Sequence, residues 1–230
     1  MKEKAKIWIY ILMLIGLVLT ITEGCKKDSK VDYTGQKGTV TDIDGNIYQT
    51  IGIGTQIWMA ENLKVTRYRN GDYIPNITKQ TKWDSLTTGA YCWYGNNTTN
   101  KAIYGALYNW YAVIDSRNIS PVGWHVPSDA DWTTLTNYLG GAVVACEKMM
   151  SDTVWDCHYY NNSSGFTALP GGYRERGVGF YYICVEARFW SSSQFSERDA
   201  WCRGLAGFYL YVKQFNSFKI DGYSVRCLKN

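Results

Sequence analysis

Histidine is scarce in this chain: His125 and His158 are the two present in 230 residues. They stand in different segments, so a histidine-based metal centre would have to draw its other ligands from cysteine or carboxylate elsewhere in the fold. No C-x-x-C occurs, which takes away the usual pattern of a zinc site or a thioredoxin-like redox pair. G-x-S-x-G, H-E-x-x-H and the P-loop are missing too. "GIGTQI" at 52–57 begins like a dinucleotide fingerprint but ends in Ile57 and lies between strand-like segments. Neither sign of charge dominates: 24 basic against 20 acidic residues give a net +4, too balanced for a nucleic-acid footprint. Nor is there a membrane-spanning run. The apolar stretch Ile7–Ile21 is 15 residues long, behind Lys2, Lys4 and Lys6. That is short of the roughly 20 residues a bilayer needs and fits a secretory leader.

The leader ends in "TEGC". A cysteine directly after a small residue at this point resembles the lipobox of bacterial lipoproteins, in which Cys25 would be acylated and become the new amino terminus, although Thr22 and Glu23 depart from the usual residues. The expectation is a leader over 1–24, a polar tether over 25–37 and one domain over 38–230. The partner is then a membrane, reached through a lipid anchor, and the place is the cell envelope at the outer membrane, its face left open. Six cysteines remain, Cys92, Cys146, Cys157, Cys184, Cys202 and Cys227. An even number in an exported protein argues for disulfides, and the expected pairs are Cys146–Cys157, Cys184–Cys202 and Cys92–Cys227.

Along the domain, "GTVTDIDGNIYQTIGIGTQIWMAENL" reads as strands with tight turns: Asp44-Gly45 is a hairpin signal, and Ile47, Ile51 and Ile53 share one side of a period-two pattern. "DIDGN" has oxygen ligands at alternate positions as a calcium loop does, but position 12 is Ile53 rather than a bidentate Glu, which favours the turn. Leu107, Trp110, Tyr111 and Ile114 follow helical spacing and predict an amphipathic helix. In "PVGWHVPSDADWTTLTNYLGG" (121–141) Ser128 is placed to cap a second helix, with Asp131 three residues on completing a capping box, Trp132, Leu135 and Leu139 on one face, and Gly140 as the stop. Asp129 and Asp131 are thereby explained without catalysis. His125 is expected to pack beside Trp124 and bond to backbone. The later segments read as antiparallel strands and long loops, so the fold class is α+β with two main helices.

Aromatic residues are what the chain has in plenty: 10 Trp, 19 Tyr and 7 Phe. Many sit beside Gly or Asn, as in "YCWYGNN" and "GVGFYY". Such rings suit interfaces and sugar stacking, and they also fill a core short of aliphatics. The candidate ligand-binding residues are Trp93, Tyr94, Asn96 and Asn97. For catalysis the one nominee is Glu175, which between Arg174 and Arg176 reads as an exposed ion pair. No catalytic residue, metal ligand or cofactor is therefore assigned.

The ordered segments "DIDGNIYQTIGIGTQIWMAENL", "GAYCWYGNN", "YGALYNWYAV", "PVGWHVPSDADWTTLTNYLGG", "GFTALPGGYRERGVGF", "FWSSSQ" and "GYSVRCLK" resemble the Fibrobacter succinogenes major paralogous domain, a family of exported proteins of Bacteroidetes and relatives, often lipoproteins. The resemblance implies a loop-rich, C-type-lectin-like fold akin to the formylglycine-generating group. It brings no activity, since the cysteine pair and histidine clusters of that group are not matched here. Many members of the resembled family carry cysteine directly before the P-x-G-W-H-V-P motif, where this chain has Ser120. The functional expectation is a non-enzymatic surface binding or adhesion module for a glycan or surface protein. The alternatives are a subunit of a surface fibre and an enzyme acting on cell-wall polysaccharide.

Overall fold

A computed structural model describes residues 31–155, 160–208 and 211–230. Cys25, Cys157 and His158 lie outside the described residues, and with them the leader, the lipid anchor and the Cys146–Cys157 pair. β1 (Lys37–Thr41), β2 (Ile47–Ile53) and β3 (Gln56–Met59) form an antiparallel meander, Thr41 opposite Ile47 and Ile53 opposite Gln56. The first link is the expected turn. The Asp42 carboxylate accepts the backbone N–H groups of Asp44 and Asn46, both at 2.9 Å, and the Tyr48 hydroxyl at 2.6 Å. Asp44 accepts Arg67 Nε at 2.6 Å. Against the cost of partial burial, Arg67 and Thr66 hold the Asp44 carboxyl below the usual carboxylate range. Protein donors thus occupy the oxygens that suggested a cation. The second link is two residues long, and glycine is needed there twice over: Gly54 has φ 59°, and a Cβ on it would meet the Tyr138 ring at 2.6 Å.

Short elements follow: α1 (Gln80–Trp83), β4 (Tyr91–Cys92), α2 (Asn100–Tyr104), β5 (Leu107–Tyr108), α3 (Trp110–Val113) and β6 (Trp124–His125). The amphipathic helix expected over 107–114 is mostly absent. Leu107 and Tyr108 pair instead with Cys92 and Tyr91, the Asn109 side chain caps a helix of one turn, and Ile114 is exposed. The capped helix does form, as α4 (Asp129–Tyr138). The Ser128 side chain accepts the Asp131 N–H at 3.2 Å while the Asp131 carboxylate accepts the Ser128 N–H at 2.8 Å. The second long helix is one the periodicity did not give, α5 (Ala142–Met149).

The remaining strands are β7 (Gly171–Glu175), β8 (Gly179–Ile183), β9 (Glu186–Gln194), β10 (Asp199–Ala206), β11 (Lys213–Phe218) and β12 (Leu228–Lys229). One five-stranded sheet runs β1-β2-β3-β12-β6 and the other β11-β10-β9-β7-β8, antiparallel except where β7 meets β9. The segment Gly222–Cys227, leading into β12, stitches them together. Tyr223 bridges to Tyr108, Ser224 to Phe189 and Leu228 to Trp58.

Two large apolar clusters lie on either side of the central strands. β2 gives Tyr48 to one and Ile51 and Ile53 to the other; β3 divides Met59 from Trp58, and β9 divides Trp190 from Phe189. These strands are covered on both faces, so their sequences do not alternate cleanly. Ile47, expected on the buried side with Ile51, is 60% exposed. Aromatic rings do much of the filling: Trp58, Trp132, Phe166 and Phe189 meet with centroids 4.8 to 6.0 Å apart.

Disulfide pairing differs from expectation. Cys184 and Cys202 are both free, as are Cys92 and Cys227. Cys184 is exposed in the β8–β9 link, whereas Cys202 faces Trp190, four pairs in from the Glu186–Ala206 end of the ladder, and donates to Phe215 O at 3.2 Å. A strand rise of about 3.3 Å per residue sets the two too far apart for a bridge. Cys92 packs with Trp83, Leu107 and Ile220, while Cys227 belongs to the cluster of Tyr48 and Trp190 and donates to Ser120 Oγ at 3.4 Å. Cys146 lies buried against Met150 Sδ at 3.5 Å.

Candidate functional site

The proposed ligand loop, 93–97, is built inward as much as outward. Trp93 is 5% exposed, its ring edge-on to Tyr91 at 5.1 Å with the Lys101 ammonium 5.4 Å above it. It is a core ring, and Trp93 therefore offers no open face for stacking. Asn96, at φ 54°, donates from its amide to Thr78 O, and Asn97 accepts the Thr99 N–H. Tyr94 is half-buried and leans on Phe180 of β8 at 5.3 Å.

That contact leads to a more accessible group of rings. β7 and β8 make a hairpin in which Gly171 faces Ile183 and Tyr173 faces Tyr181. Gly172 has φ 63°, and a Cβ there would stand 2.5 Å from both Tyr181 O and the Tyr94 ring, so no other residue lets loop and hairpin close together. Consecutive strand residues normally point to opposite faces. Tyr182, however, has φ 57°, a left-handed conformation that is rare for an aromatic residue and that breaks the alternation. As a result Tyr181 and Tyr182 both lie beside Tyr173, with centroids at 6.2 and 6.0 Å, and 6.1 Å from each other. Phe208 extends the row, 6.5 Å from Tyr182. Tyr182 is 49% and Phe208 57% exposed.

The row is braced from beneath. The Arg188 guanidinium lies 3.5 Å from the Tyr173 ring centroid, donates from Nε to Glu186 at 2.7 Å and from another nitrogen to the Tyr223 hydroxyl at 3.1 Å. Burial of Tyr173, against the pull of Arg188, pushes its hydroxyl pKa up to about 12, so the ring is neutral at physiological pH. The outcome is a strip of three tyrosines and a phenylalanine, apolar on the ring faces and, at the tyrosines, with a hydroxyl at the edge.

The other residues singled out earlier serve the fold. His125 Nδ1 bonds the Asn230 side-chain oxygen at 2.7 Å rather than backbone, and Nε2 stands 3.6 Å from the capping-box Asp131. Asp129 takes buried Arg203 and the Gln214 amide. Glu175 is not part of a solvated Arg-Glu-Arg cluster. Arg174 is fully buried, donating to Gln80, Ile77 O and Thr78 O with its guanidinium 4.4 Å from the Trp83 ring. Burial pushes the Cys92 and Cys227 thiols up to about 12, far from the thiolate a nucleophile needs. Among the described residues no three His, Cys, Asp or Glu side chains gather as metal ligands, and no helix is long and apolar enough to cross a membrane.

These features define an α+β domain of curled, mainly antiparallel sheets with five helices among the described residues, and with a surface strip of aromatic rings along the β7–β8 hairpin. The chain belongs to the Fibrobacter succinogenes major domain family, whose model matches residues 51–229. No curated protein and no solved structure matches it.

Proposed function

We propose that the chain is a non-catalytic, exported lipoprotein of the cell envelope, held by an acylated Cys25 at the outer membrane, that binds carbohydrate. The observation that carries the reading is the exposed row Tyr181, Tyr182 and Phe208 on the Arg188-braced Tyr173. A sugar ring presents apolar C–H faces and hydroxyl edges, and tyrosine rings held side by side at 6.0 to 6.2 Å meet both. The left-handed Tyr182 supports it further, because strained backbone at the rim of a surface is kept where it serves a contact. A non-catalytic role is supported by the deeply buried thiols and by acids that cap helices or hold arginines. The finer kinship, a C-type-lectin-like body, is supported by the way the closing segment 222–229 returns to the sheet of the amino-terminal hairpin.

Two experiments test this. In native gels containing xylan or mannan, the protein is expected to be retarded, and changing Tyr181 and Tyr182 together to Ala to weaken retention about tenfold, at ~0.5–1.5 kcal/mol per ring. Tyr182→Phe, which keeps the ring, is expected to retain it. Equal retention by the double variant, at an unchanged melting temperature, would remove the aromatic strip from the account. For the tether, Cys25→Ser is expected to end labelling by a fatty-acid probe and to move the protein from the membrane to the soluble fraction. Persistent labelling would rule that anchor out.

A further inference from the structure

Away from the tyrosine strip, a cleft of about 450 Å³ opens between the loop Asp84–Thr87, Tyr111, the β7–β8 turn at Arg176, the Glu197–Arg198 turn and Phe218–Ile220. Its size is that of a small-ligand site. Its charges are arranged unevenly. The Arg176 and Arg198 side chains are exposed, and neither forms an ion pair among the described residues. Lys219 is buried, its ammonium donating to Glu197 O at 2.7 Å and lying 4.8 Å from the Trp110 ring, without a carboxylate partner among the described residues. Of the two acids in the cleft, Asp84 is already engaged by the Gln80 amide at 2.7 Å and the Gly177 N–H at 2.9 Å. Glu197 remains exposed as the one acid free to oppose an incoming anion. Tyr111 and Phe218 supply ring surface, with the Arg176 guanidinium 5.7 Å from the Phe218 centroid, and Ser85 and Thr87 supply hydroxyls.

We infer that this cleft is a second binding site, selective for saccharide units that carry an anionic group, either a carboxylate or a sulfate ester. Two arginines without carboxylates can grip such a group through paired N–H donors, which a neutral sugar does not offer in return. The rings and hydroxyls receive the sugar itself. Glu197 works against the anion, so removing its charge separates this reading from that of a neutral-sugar site, where the same carboxylate would be a useful acceptor.

The experiment is titration calorimetry, in detergent, of the full chain carrying Tyr181→Ala and Tyr182→Ala, which removes the tyrosine strip, against polygalacturonate for the carboxylate, dextran sulfate for the sulfate, and unsubstituted dextran. Binding to one or both charged polymers and none to dextran is expected; which of the two binds identifies the anion. Arg176→Ala with Arg198→Ala is expected to weaken binding at least tenfold, and Glu197→Gln to strengthen it about threefold, as for loss of one exposed like charge. Lys229→Ala, a cation elsewhere on the surface, is expected to change nothing. All four positions are exposed, so the fold should hold, and melting curves check this. Equal binding to dextran, no binding to either charged polymer, weakening by Glu197→Gln, or an undiminished double variant would each overturn the inference. Because the tyrosine strip is read on neutral polymers and this cleft on charged ones, either can fail alone.

Discussion

Replacing Ser120 by cysteine is expected to close a disulfide with Cys227 and to make this domain markedly more stable. Cys227 Sγ already lies 3.4 Å from Ser120 Oγ, both residues are buried, and 107 residues separate them. Complete burial keeps the Cys227 thiol neutral. Cross-linking a loop of about 100 residues removes enough unfolded-state entropy for up to ~4.7 kcal/mol, and measured bridges typically give about 2–4 kcal/mol. At about 2–4 °C per kcal/mol for a domain of this size, oxidised Ser120→Cys should melt roughly 4–16 °C above its reduced form. Calorimetry with and without reductant, beside a thiol count, checks it. Coincident melts, or a thiol count that does not fall by two on oxidation, would show that the backbone around Ser120 and Cys227 does not allow the bridge.

Arg226→Met should have a large effect of opposite sign. Arg226 is fully buried and has no carboxylate partner among the described residues. It donates to Asn62 Oδ1 at 2.9 Å, Thr167 O at 2.6 Å and Phe166 O, with its guanidinium 4.3 Å from the Phe166 ring. Burial draws its pKa down to about 9, Glu61 opposing, so it is still a cation at neutral pH. It also holds the carbonyl of Thr167, whose φ of 55° is costly for a β-branched residue. Methionine keeps the apolar stem but strands an amide oxygen and two carbonyls in the core. A loss of about 3–5 kcal/mol is expected, lowering the melting temperature by roughly 10 °C. Arg226→Lys should rescue little, because one ammonium cannot span a planar fork of acceptors. A methionine variant melting within 2 °C of the parent would mean that water or a rearranged backbone satisfies those carbonyls.

What the sequence disclosed was local. The Ser128–Asp131 box and the Asp44-Gly45 turn depend on residues a few positions apart, and both form. The two tyrosines of "GVGFYY" stand out in the sequence as rings beside glycine, and they are two of the three exposed rings of the strip. Where the reading failed, distant partners decided. Leu107 has helical spacing to Trp110, but pairing with Cys92 draws it into a strand. Nothing in the series Ala142–Met149 announces a helix start, because Gly141 caps it without a side chain. Trp93, between Cys92 and Tyr94 and followed by Gly95, has the look of a surface ring, yet Lys101 and Tyr91 close over it. Likewise Arg174 reads as solvated beside Glu175 until Gln80 and two carbonyls are seen to enclose it. The left-handed turn at Tyr182, which turns two neighbouring rings to one side, has no signature in residue identity at all.

The seam made by Gly222–Cys227 also sets an order of events. Arg226 is 164 residues from the Asn62 it grips, and Tyr223 and Val225 complete a cluster begun by Tyr48. Neither half of the interior can be sealed until this late stretch has been synthesised, and contacts of such long sequence separation make for slow closure. Until then the nascent polypeptide keeps many of its rings unburied and its two large sheets unjoined, a condition in which it can still be threaded through a narrow channel.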